Sequence, residues 1–151
     1  MKHAFIATVL GTTTLLVSGS ALAQAKPEVL VKQRQAAMTL IGKYFGPLGG
    51  MAQGKVPYNA DVVKRNTGYL DALSKMPWDG FHENTKDLKS RALPAVFSDA
   101  AKFKEASDRF NGEVAKLVTT VGGGDEAAIK AQLGAVGKAC GACHNDFREK
   151  S

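Results

Sequence analysis

Cysteine and histidine are scarce in this chain, which has two cysteines and three histidines among 151 residues. Two cysteines cannot form the set of disulfides that stabilises small secreted scaffolds, so an apolar core must hold the fold together. Beyond residue 23, no apolar run reaches the roughly 20 residues that a membrane-spanning helix needs. The sequence also lacks convincing period-two alternation of apolar and polar residues, which disfavours β-strands. These absences point to a helical domain with one core.

Concentrated charge is absent as well. The chain carries 20 Lys and Arg against 14 Asp and Glu, a net charge of +6. The basic residues are spread along every segment and are not interleaved with aromatics, so we expect no nucleic-acid partner. The basic excess suits either an acidic protein partner or simple solubility. The sequence shows no catalytic triad, carboxylate dyad or phosphate-binding glycine loop, and we expect no enzyme.

Residues 1–23 have the pattern of a secretory signal peptide. The segment has a short basic start at Lys2, an apolar run over residues 4–17 and a small-x-small cleavage site at residues 21–23. The apolar run is too short to span a bilayer, so we expect cleavage and no membrane anchor. The mature protein is then one domain, residues 24–151, whose net charge after loss of Lys2 is 19 − 14 = +5.

The two cysteines occur together, in the segment Cys140-Gly141-Ala142-Cys143-His144. On a helix, Cys140 and Cys143 lie three residues apart on one face, so both sulfurs can reach the two vinyl groups along one edge of a porphyrin. The imidazole of His144 follows directly and can serve as an axial iron ligand. This order predicts one haem c per chain, bound covalently through Cys140 and Cys143 and ligated by His144.

Two other uses of these residues are open. A redox disulfide of the thioredoxin type needs a strand before the helix, but no β-branched run precedes Cys140. A structural zinc usually needs four ligands, and beyond residue 23 the chain offers only Cys140, Cys143, His144 and His82. The adjacent histidine and the export signal favour haem attachment over both alternatives.

Apolar periodicity predicts four helices. They are expected over about residues 28–52, over 60–75 after an Asn59 cap, from a Ser98 cap to about residue 121, and from Asp125 through the cysteine segment. Proline and glycine at residues 46–50 are expected to kink or fray the end of the first helix. The predicted inner face of the second helix comprises Val62, Tyr69, Leu73 and Met76. The predicted stripe of the fourth comprises Ile129, Leu133, Val136, Cys140, Cys143, His144 and Phe147.

These patterns predict an all-α fold, an antiparallel four-helix bundle with covalently attached haem c near the C-terminus. The connection over residues 77–97 is long for a compact domain, and such loops tend to be functional or to carry short structure of their own. Its apolar residues, among them Trp78 and Phe81, favour a flap that packs on the bundle and the haem edge.

Any sixth iron ligand must come from upstream, because only seven residues follow His144. The candidates are Met38, Met51, Met76 and His82. Arg34 lies one turn before Met38 on the otherwise apolar inner stripe of the first helix, and a cation there needs an anionic partner. If Arg34 binds a haem propionate, Met38 is placed over the porphyrin.

The segments Arg34-Gln35-Ala36-Ala37-Met38, Pro77-Trp78 and Phe97-Ser98-Asp99, together with residues 137–144, resemble cytochrome c′, the class II cytochromes c of bacterial periplasms. The resemblance covers essentially all of residues 24–151. It implies a periplasmic four-helix bundle, a homodimer through the first two helices, and pentacoordinate haem iron. It also implies binding of small diatomic gases such as nitric oxide, and electron transfer with an unidentified redox partner.

The resemblance also assigns residues. It implies that Arg34 and Gln35 contact the propionates and that Met38 covers the distal face of the haem. It suggests a haem contact for Arg91, although the stretch Phe81–Pro94 is somewhat longer than the family pattern.

Two interpretations of Met38 are open: an apolar lid over an open coordination position, or the sixth ligand of a low-spin electron carrier. If the site is open, an apolar lining of Met38, Ile41 and Phe45 favours nitric oxide and carbon monoxide over dioxygen, which needs hydrogen-bond donors. Arg148, one turn beyond His144, either covers the proximal side or is a solvated arginine near a helix C-terminus.

Overall fold

A computed structural model describes residues 25–150 of the chain. Its helices are α1 (Pro27–Ala52), α2 (Ala60–Leu73), α3 (Ala95–Ser98), α4 (Ala100–Gly123) and α5 (Glu126–Phe147). The four long helices form an antiparallel bundle in which α1 packs against α2 and α5, and α4 packs against the same two helices. The predicted all-α four-helix bundle is confirmed.

The predicted signal peptide, residues 1–23, lies outside the described residues. Within residues 25–150, none of the helices combines the length and the apolar character that crossing a membrane requires.

Helix α1 begins at Pro27. Backbone N–H groups in the first turn of a helix have no acceptor within the helix, so the N–H that proline lacks removes no hydrogen bond there. Residues 46–50 were predicted to kink or fray the far end of the helix, and the fraying is ruled out because the helix continues to Ala52. The reason is packing: Leu48 and Met51 are buried in the core, which offsets the hydrogen bond that Pro47 cannot donate.

The bounds of α2 agree with the prediction, but its inner face does not. Asn59 caps the helix by accepting from the N–H of Val62 at 3.0 Å, and the helix ends at Leu73, two residues before the predicted Lys75. Tyr69 and Met76 were assigned to the inner face, yet they are 44% and 57% exposed.

The core face of α2 carries two polar residues, which explains the misassignment. Its buried residues are Val63, Asn66, Thr67, Leu70 and Leu73, of which the prediction included only Leu73. The side-chain amide of Asn66 donates to the carbonyl of Tyr44 in α1 at 3.1 Å, so its burial is compensated. Because polar residues interrupt the apolar stripe, periodicity selected the neighbouring face instead.

Helices α4 and α5 form a hairpin with well-defined caps. Asp99, and not the predicted Ser98, caps α4 by accepting from the N–H of Lys102, while Ser98 ends α3. Gly124 ends α4 in the left-handed conformation with φ of 75°, which favours glycine. Asp125, where the last helix was predicted to begin, caps α5 by accepting from the N–H of Ala128 at 2.9 Å.

The core of the bundle is built from apolar residues of all four long helices, most of them aliphatic. Its fully buried side chains include Leu48, Val63, Leu70, Val114, Leu117, Ile129, Leu133 and Val136. Their burial fixes the rotation of α1 and α5, and with it the directions of the residues at the end of the bundle where the cysteines lie.

Residues 77–94, here called the connecting loop, carry short structure of their own. Two 3₁₀ turns, Trp78–Phe81 and Glu83–Thr85, pack against α1. At its far end, Ala92 and Arg148 form an antiparallel bridge, with the N–H of Leu93 donating to the carbonyl of Phe147 at 3.0 Å. The loop thus contacts α1 near its start and the end of α5 near its far end, and it forms a flap packed on the bundle.

Candidate haem-binding site

A cavity of about 530 Å³ opens between α1, the connecting loop, α4 and the end of α5. Its lining residues are Arg34, Gln35, Met38, Thr39, Phe81, Ser90, Arg91, Ala92, Phe103, Cys143, His144, Phe147 and Arg148. The structure therefore brings together most of the site residues that the sequence predicted, although they come from distant parts of the chain.

The attachment cysteines lie on the last turns of α5. Cys143 is half-buried and lines the cavity, whereas Cys140, one turn earlier, does not line it and packs against the bundle core. The two sulfurs are not joined in a disulfide. Burial raises the pKa of the Cys140 thiol to about 11, and it also raises the pKa of Cys143. Since the thiolate is the reactive form in disulfide exchange, these thiols are poorly suited to redox cycling.

His144 lines the cavity from the same end of α5. It was predicted on the core-facing stripe, but its side chain is exposed at the cavity rim. Desolvation lowers the pKa of His144 below its usual value, and the positive charges of Arg148 and Arg91 act in the same direction. The imidazole is therefore neutral at neutral pH, which is the form that ligates iron.

Among the candidates for a sixth ligand, Met38 alone lies at this cavity. Its side chain is half-buried and also packs against the bundle core. Met51 is buried in the core, and Met76 is exposed away from the cavity. His82 is exposed, and its Nδ1 accepts from the N–H of Asn84 at 3.3 Å.

Ile41 and Phe45 were predicted to share the cavity lining with Met38, but they do not. Ile41 belongs to the buried core, and Phe45 packs beside Gly49 and Gly137. On α1, Thr39 lines the cavity beside Met38 instead.

Arg34 lies in the cavity wall and is only 3% exposed. Its Nη1 donates to the carbonyl of Gly80 at 2.6 Å and to the hydroxyl of Thr85 at 2.8 Å, and its Nη2 donates to the hydroxyl of Ser90 at 2.9 Å. The guanidinium also lies 4.6 Å from the ring centroid of Phe81.

The partners of Arg34 are all neutral. Within residues 25–150, its guanidinium makes no salt bridge. Burial lowers the pKa of Arg34, yet a guanidinium stays protonated at neutral pH. A buried cation without a carboxylate partner, in the wall of a cavity, calls for an anionic ligand. The carboxylates of haem meet this requirement, so the cavity fits the cofactor that the cysteine segment predicts.

Two further arginines lie at the cavity, as the sequence suggested. Arg91 lines it from the connecting loop, and its Nη2 donates to the carbonyl of Glu149 at 2.8 Å. Arg148 lines it from the residue after α5, with its Nη1 3.3 Å from the Nδ1 of His144. Arg148 therefore lies beside His144 and is only partly exposed.

Sequence reasoning missed an aromatic wall of the cavity. The ring centroids of Phe81 and Phe103 are 4.8 Å apart, and those of Phe103 and Phe147 are 5.3 Å apart. All three phenylalanines line the cavity. From the sequence, they were predicted only as apolar residues that anchor the loop and the helices. The position of Phe147, three residues beyond His144, was the one signal that could have placed a phenylalanine at the site.

Comparison with known proteins adds independent findings. The family model described as Cytochrome C′ matches residues 29–148. A curated cytochrome c′ from Rubrivivax gelatinosus is 45% identical over 126 residues, which cover 83% of this chain and 98% of the relative.

Solved structures agree with the sequence comparison. The crystal structure of cytochrome c′ from Rubrivivax gelatinosus superposes with a TM-score of 0.78 at 44% identity, covering 82% of this chain and 98% of that one. A nitric oxide complex of a cytochrome c prime mutant from Alcaligenes xylosoxidans has a TM-score of 0.77 at 38% identity, covering 85% and 99% of the two chains.

Proposed function

The chain belongs to the cytochrome c′ family and its cofactor is haem c, and on this basis we propose that it is a periplasmic protein that binds small diatomic gases such as nitric oxide and transfers electrons. One observation carries the proposal: a single cavity joins Cys143 and His144 of α5 to an α1 wall that presents the apolar side chain of Met38.

The end of α5 would hold the cofactor. Cys140 and Cys143 would supply the two thioether sulfurs from one helical face, and the neutral imidazole of His144 would supply a nitrogen ligand to the iron. Bound haem iron supplies reversible one-electron chemistry and a coordination position for a diatomic ligand. Because the sulfur bonds are covalent, α5 fixes the orientation of the cofactor against the other three walls.

The α1 wall would bind the carboxylate edge. The contacts of Arg34 to the protein leave its Nε and one proton of Nη2 available among the described residues. A carboxylate accepting from these donors would neutralise a cation that is otherwise buried among neutral groups. Gln35, adjacent and exposed at the same wall, offers a further amide donor.

Met38 would act as a lid on the face opposite His144. Its neighbour Thr39 donates its hydroxyl proton to the carbonyl of Gln35 at 2.8 Å, so that hydroxyl does not serve as a donor into the cavity. A face without a free hydroxyl donor favours nitric oxide and carbon monoxide, which depend less on hydrogen bonds than dioxygen does. The lid must move before a ligand enters, which slows binding.

The competing function is a low-spin electron carrier in which the sulfur of Met38 ligates the iron. Optical spectra of the ferric and ferrous protein, with and without carbon monoxide, separate the two functions. A high-spin ferric spectrum and a carbon monoxide adduct are the expected results. A low-spin ferric spectrum, together with a ferrous spectrum that carbon monoxide leaves unchanged, would overturn the gas-binding proposal. An intact mass equal to the apoprotein plus one haem checks the covalent attachment.

We also propose a homodimer through α1 and α2. Apolar side chains are exposed on these helices and on the turn between them, with Leu40 39%, Val56 43% and Tyr69 44% accessible. The rings of Tyr44 and Tyr69 lie 4.6 Å apart and extend this surface across both helices. Sedimentation should give a dimer mass that Tyr69→Lys reduces to that of a monomer, whereas the matched change Val118→Lys on α4 should leave the dimer intact.

A further inference from the structure

The connecting loop forms one wall of the cavity, and its position depends on a side chain of α1. Phe81, Ser90, Arg91 and Ala92 line the cavity from this loop. The loop enters from α2, and its far end is fixed to residues after α5 by the bridge between Ala92 and Arg148. Between these ends, the loop must be held against α1 by its own contacts.

Arg34 makes those contacts at three separate points. It donates to Gly80 in the first 3₁₀ turn, to Thr85 in the second, and to Ser90 near the far end. The three acceptors span most of the loop, yet one guanidinium reaches them all. A planar group with several N–H donors in fixed directions can do this, whereas a lysine ammonium is a compact point charge.

The acceptors are themselves positioned by the loop. The hydroxyl of Thr85 donates to the carbonyl of His82 at 2.7 Å, and the hydroxyl oxygen of Ser90 accepts from the N–H of Ala92 at 3.3 Å. Each hydroxyl therefore connects Arg34 to a local turn. Thr85 is fully buried, so loss of its bond would leave polar atoms unsatisfied.

The backbone at Gly80 packs directly against α1. A Cβ atom placed on Gly80 would lie 2.6 Å from the Cβ of Arg34 and 2.8 Å from the carbonyl oxygen of Leu30. This close approach places the Gly80 carbonyl within reach of the guanidinium. The loop is therefore held to Arg34 by backbone packing as well as by hydrogen bonds.

We propose that Arg34 is a positioning residue, which holds the connecting loop as a wall of the haem cavity and thereby sets the positions of Phe81 and Arg91. This inference rests on the proposed function, because it concerns the same cavity. It assigns Arg34 a role distinct from binding a haem carboxylate. Releasing the loop admits water to the cavity and moves the Arg91 charge away, and both changes favour the ferric over the ferrous state.

The test separates the loop contacts from the charge of Arg34. The double variant Thr85→Val with Ser90→Ala removes two acceptors and leaves Arg34 in place. Thr67→Val is the matched control, because it removes a buried hydroxyl of α2 that has no hydrogen-bond partner among the described residues. Arg34→Lys keeps the charge and removes the planar donor group. All proteins are compared with haem attached, as verified by intact mass.

Hydrogen exchange of residues 80–92, measured by mass spectrometry, reports the loop, and the reduction potential reports the cavity. In the double variant, we expect loop amides to exchange about tenfold faster than in the wild type, together with a lower potential. Arg34→Lys should change both quantities in the same direction, and Thr67→Val should change neither.

Two results would overturn the proposal. If the double variant keeps wild-type exchange and potential while Arg34→Lys lowers the potential, Arg34 acts only on the haem carboxylate. If exchange accelerates but the potential stays constant, the contacts stabilise the loop without positioning the cavity wall. A failure of the proposed function would be seen in the wild-type protein itself, without any variant. The wild-type mass would then lack the haem increment, or carbon monoxide would leave the wild-type ferrous spectrum unchanged.

Discussion

The Nη1 of Arg148 lies 3.3 Å from the Nδ1 of His144, on the same turn as the cysteine that attaches the haem. Arginine can only donate hydrogen bonds, so this contact requires Nδ1 to be the acceptor. A neutral imidazole that ligates iron through Nε2 carries its proton on Nδ1, and the two groups then present donors to each other. If His144 ligates iron through Nε2, the side chain of Arg148 must therefore rearrange.

Arg148→Gln should lower the reduction potential. A glutamine carbonyl can accept from the Nδ1 proton of His144, which makes the imidazole a stronger donor to ferric iron. We expect a decrease of about 30–60 mV, equivalent to a roughly three- to tenfold change in the one-electron equilibrium. Potentiometric titration measures the change, with Arg109→Gln on the exposed face of α4 as a control. A potential within error of the wild type would show that Arg148 does not act on His144.

Met38→Ala should speed the binding of carbon monoxide. The side chain is half-buried against the core and must be displaced by a ligand, so shortening it lowers the barrier. Association should be about tenfold faster, corresponding to a barrier lower by about 1.4 kcal/mol. Flash photolysis measures the rate, and the ferric spectrum should stay high-spin. Conversion from a low-spin to a high-spin spectrum by this substitution would instead identify Met38 as a ligand.

His144→Ala should separate attachment of the haem from its ligation. The two thiols remain, so the intact mass should still show a haem increment, but the axial nitrogen is lost and the spectrum should change. His82→Ala, which removes an exposed histidine outside the cavity, should leave the spectrum unchanged. An unaltered spectrum in His144→Ala would refute the assignment of the axial ligand.

Thr67→Val should leave stability unchanged or increase it. Thr67 is 3% exposed, and its hydroxyl has no hydrogen-bond partner among the described residues. Replacing an unsatisfied buried hydroxyl by a methyl group of similar size removes a desolvation cost, and the free energy of unfolding should rise by up to about 1 kcal/mol. Chemical denaturation measures it. A clear decrease would reveal a partner for the hydroxyl.

Glu113→Gln should lower stability near neutral pH but not in acid. The side-chain amide of Gln132 donates to the carboxylate of Glu113 at 2.7 Å, joining α5 to α4, and Lys116 pairs with the same group. The Lys116 hydrogen bond, then that of Gln132, lowers the pKa of Glu113 in the folded state. The stabilisation is therefore complete above the ordinary carboxyl pKa and disappears as pH falls through the lowered value.

Melting temperatures of the two proteins should accordingly converge as the solution is acidified. Glu105→Gln is the control, because its salt bridge to Arg109 joins two residues of α4 only and does not connect helices. A melting difference for Glu113→Gln that is independent of pH would contradict the assigned role of the carboxylate.

The parts of the molecule that depend on local sequence were predictable. The helical setting of the two cysteines and the start of the last helix at about Asp125 depend on neighbouring residues, and the structure agrees with both. The predicted inner face of α2 was wrong because Asn66 and Thr67 are buried, and the burial of Asn66 is compensated by a carbonyl of α1. No periodicity reveals such a partner.

At the candidate site, the contacts of the connecting loop could not be predicted from the sequence either. Arg34 was correctly placed on an inner face, but its contacts to Thr85 and Ser90 join residues far apart in the chain. They depend on the folded path of a loop that has no regular pattern. The aromatic wall was missed for the same reason, since Phe81, Phe103 and Phe147 come from three different segments.

The division of the cavity between a local hairpin and distant segments has a consequence for the order of folding. Helices α4 and α5 are adjacent in sequence and pack extensively, so they can pair early. The α1 wall and the connecting loop close the cavity through contacts between residues far apart in the chain. Because closing long loops costs conformational entropy, we expect these contacts to form late in folding. We expect an intermediate in which the haem-bearing hairpin has formed while Met38 and Arg34 have yet to dock, leaving both faces of the haem accessible to solvent.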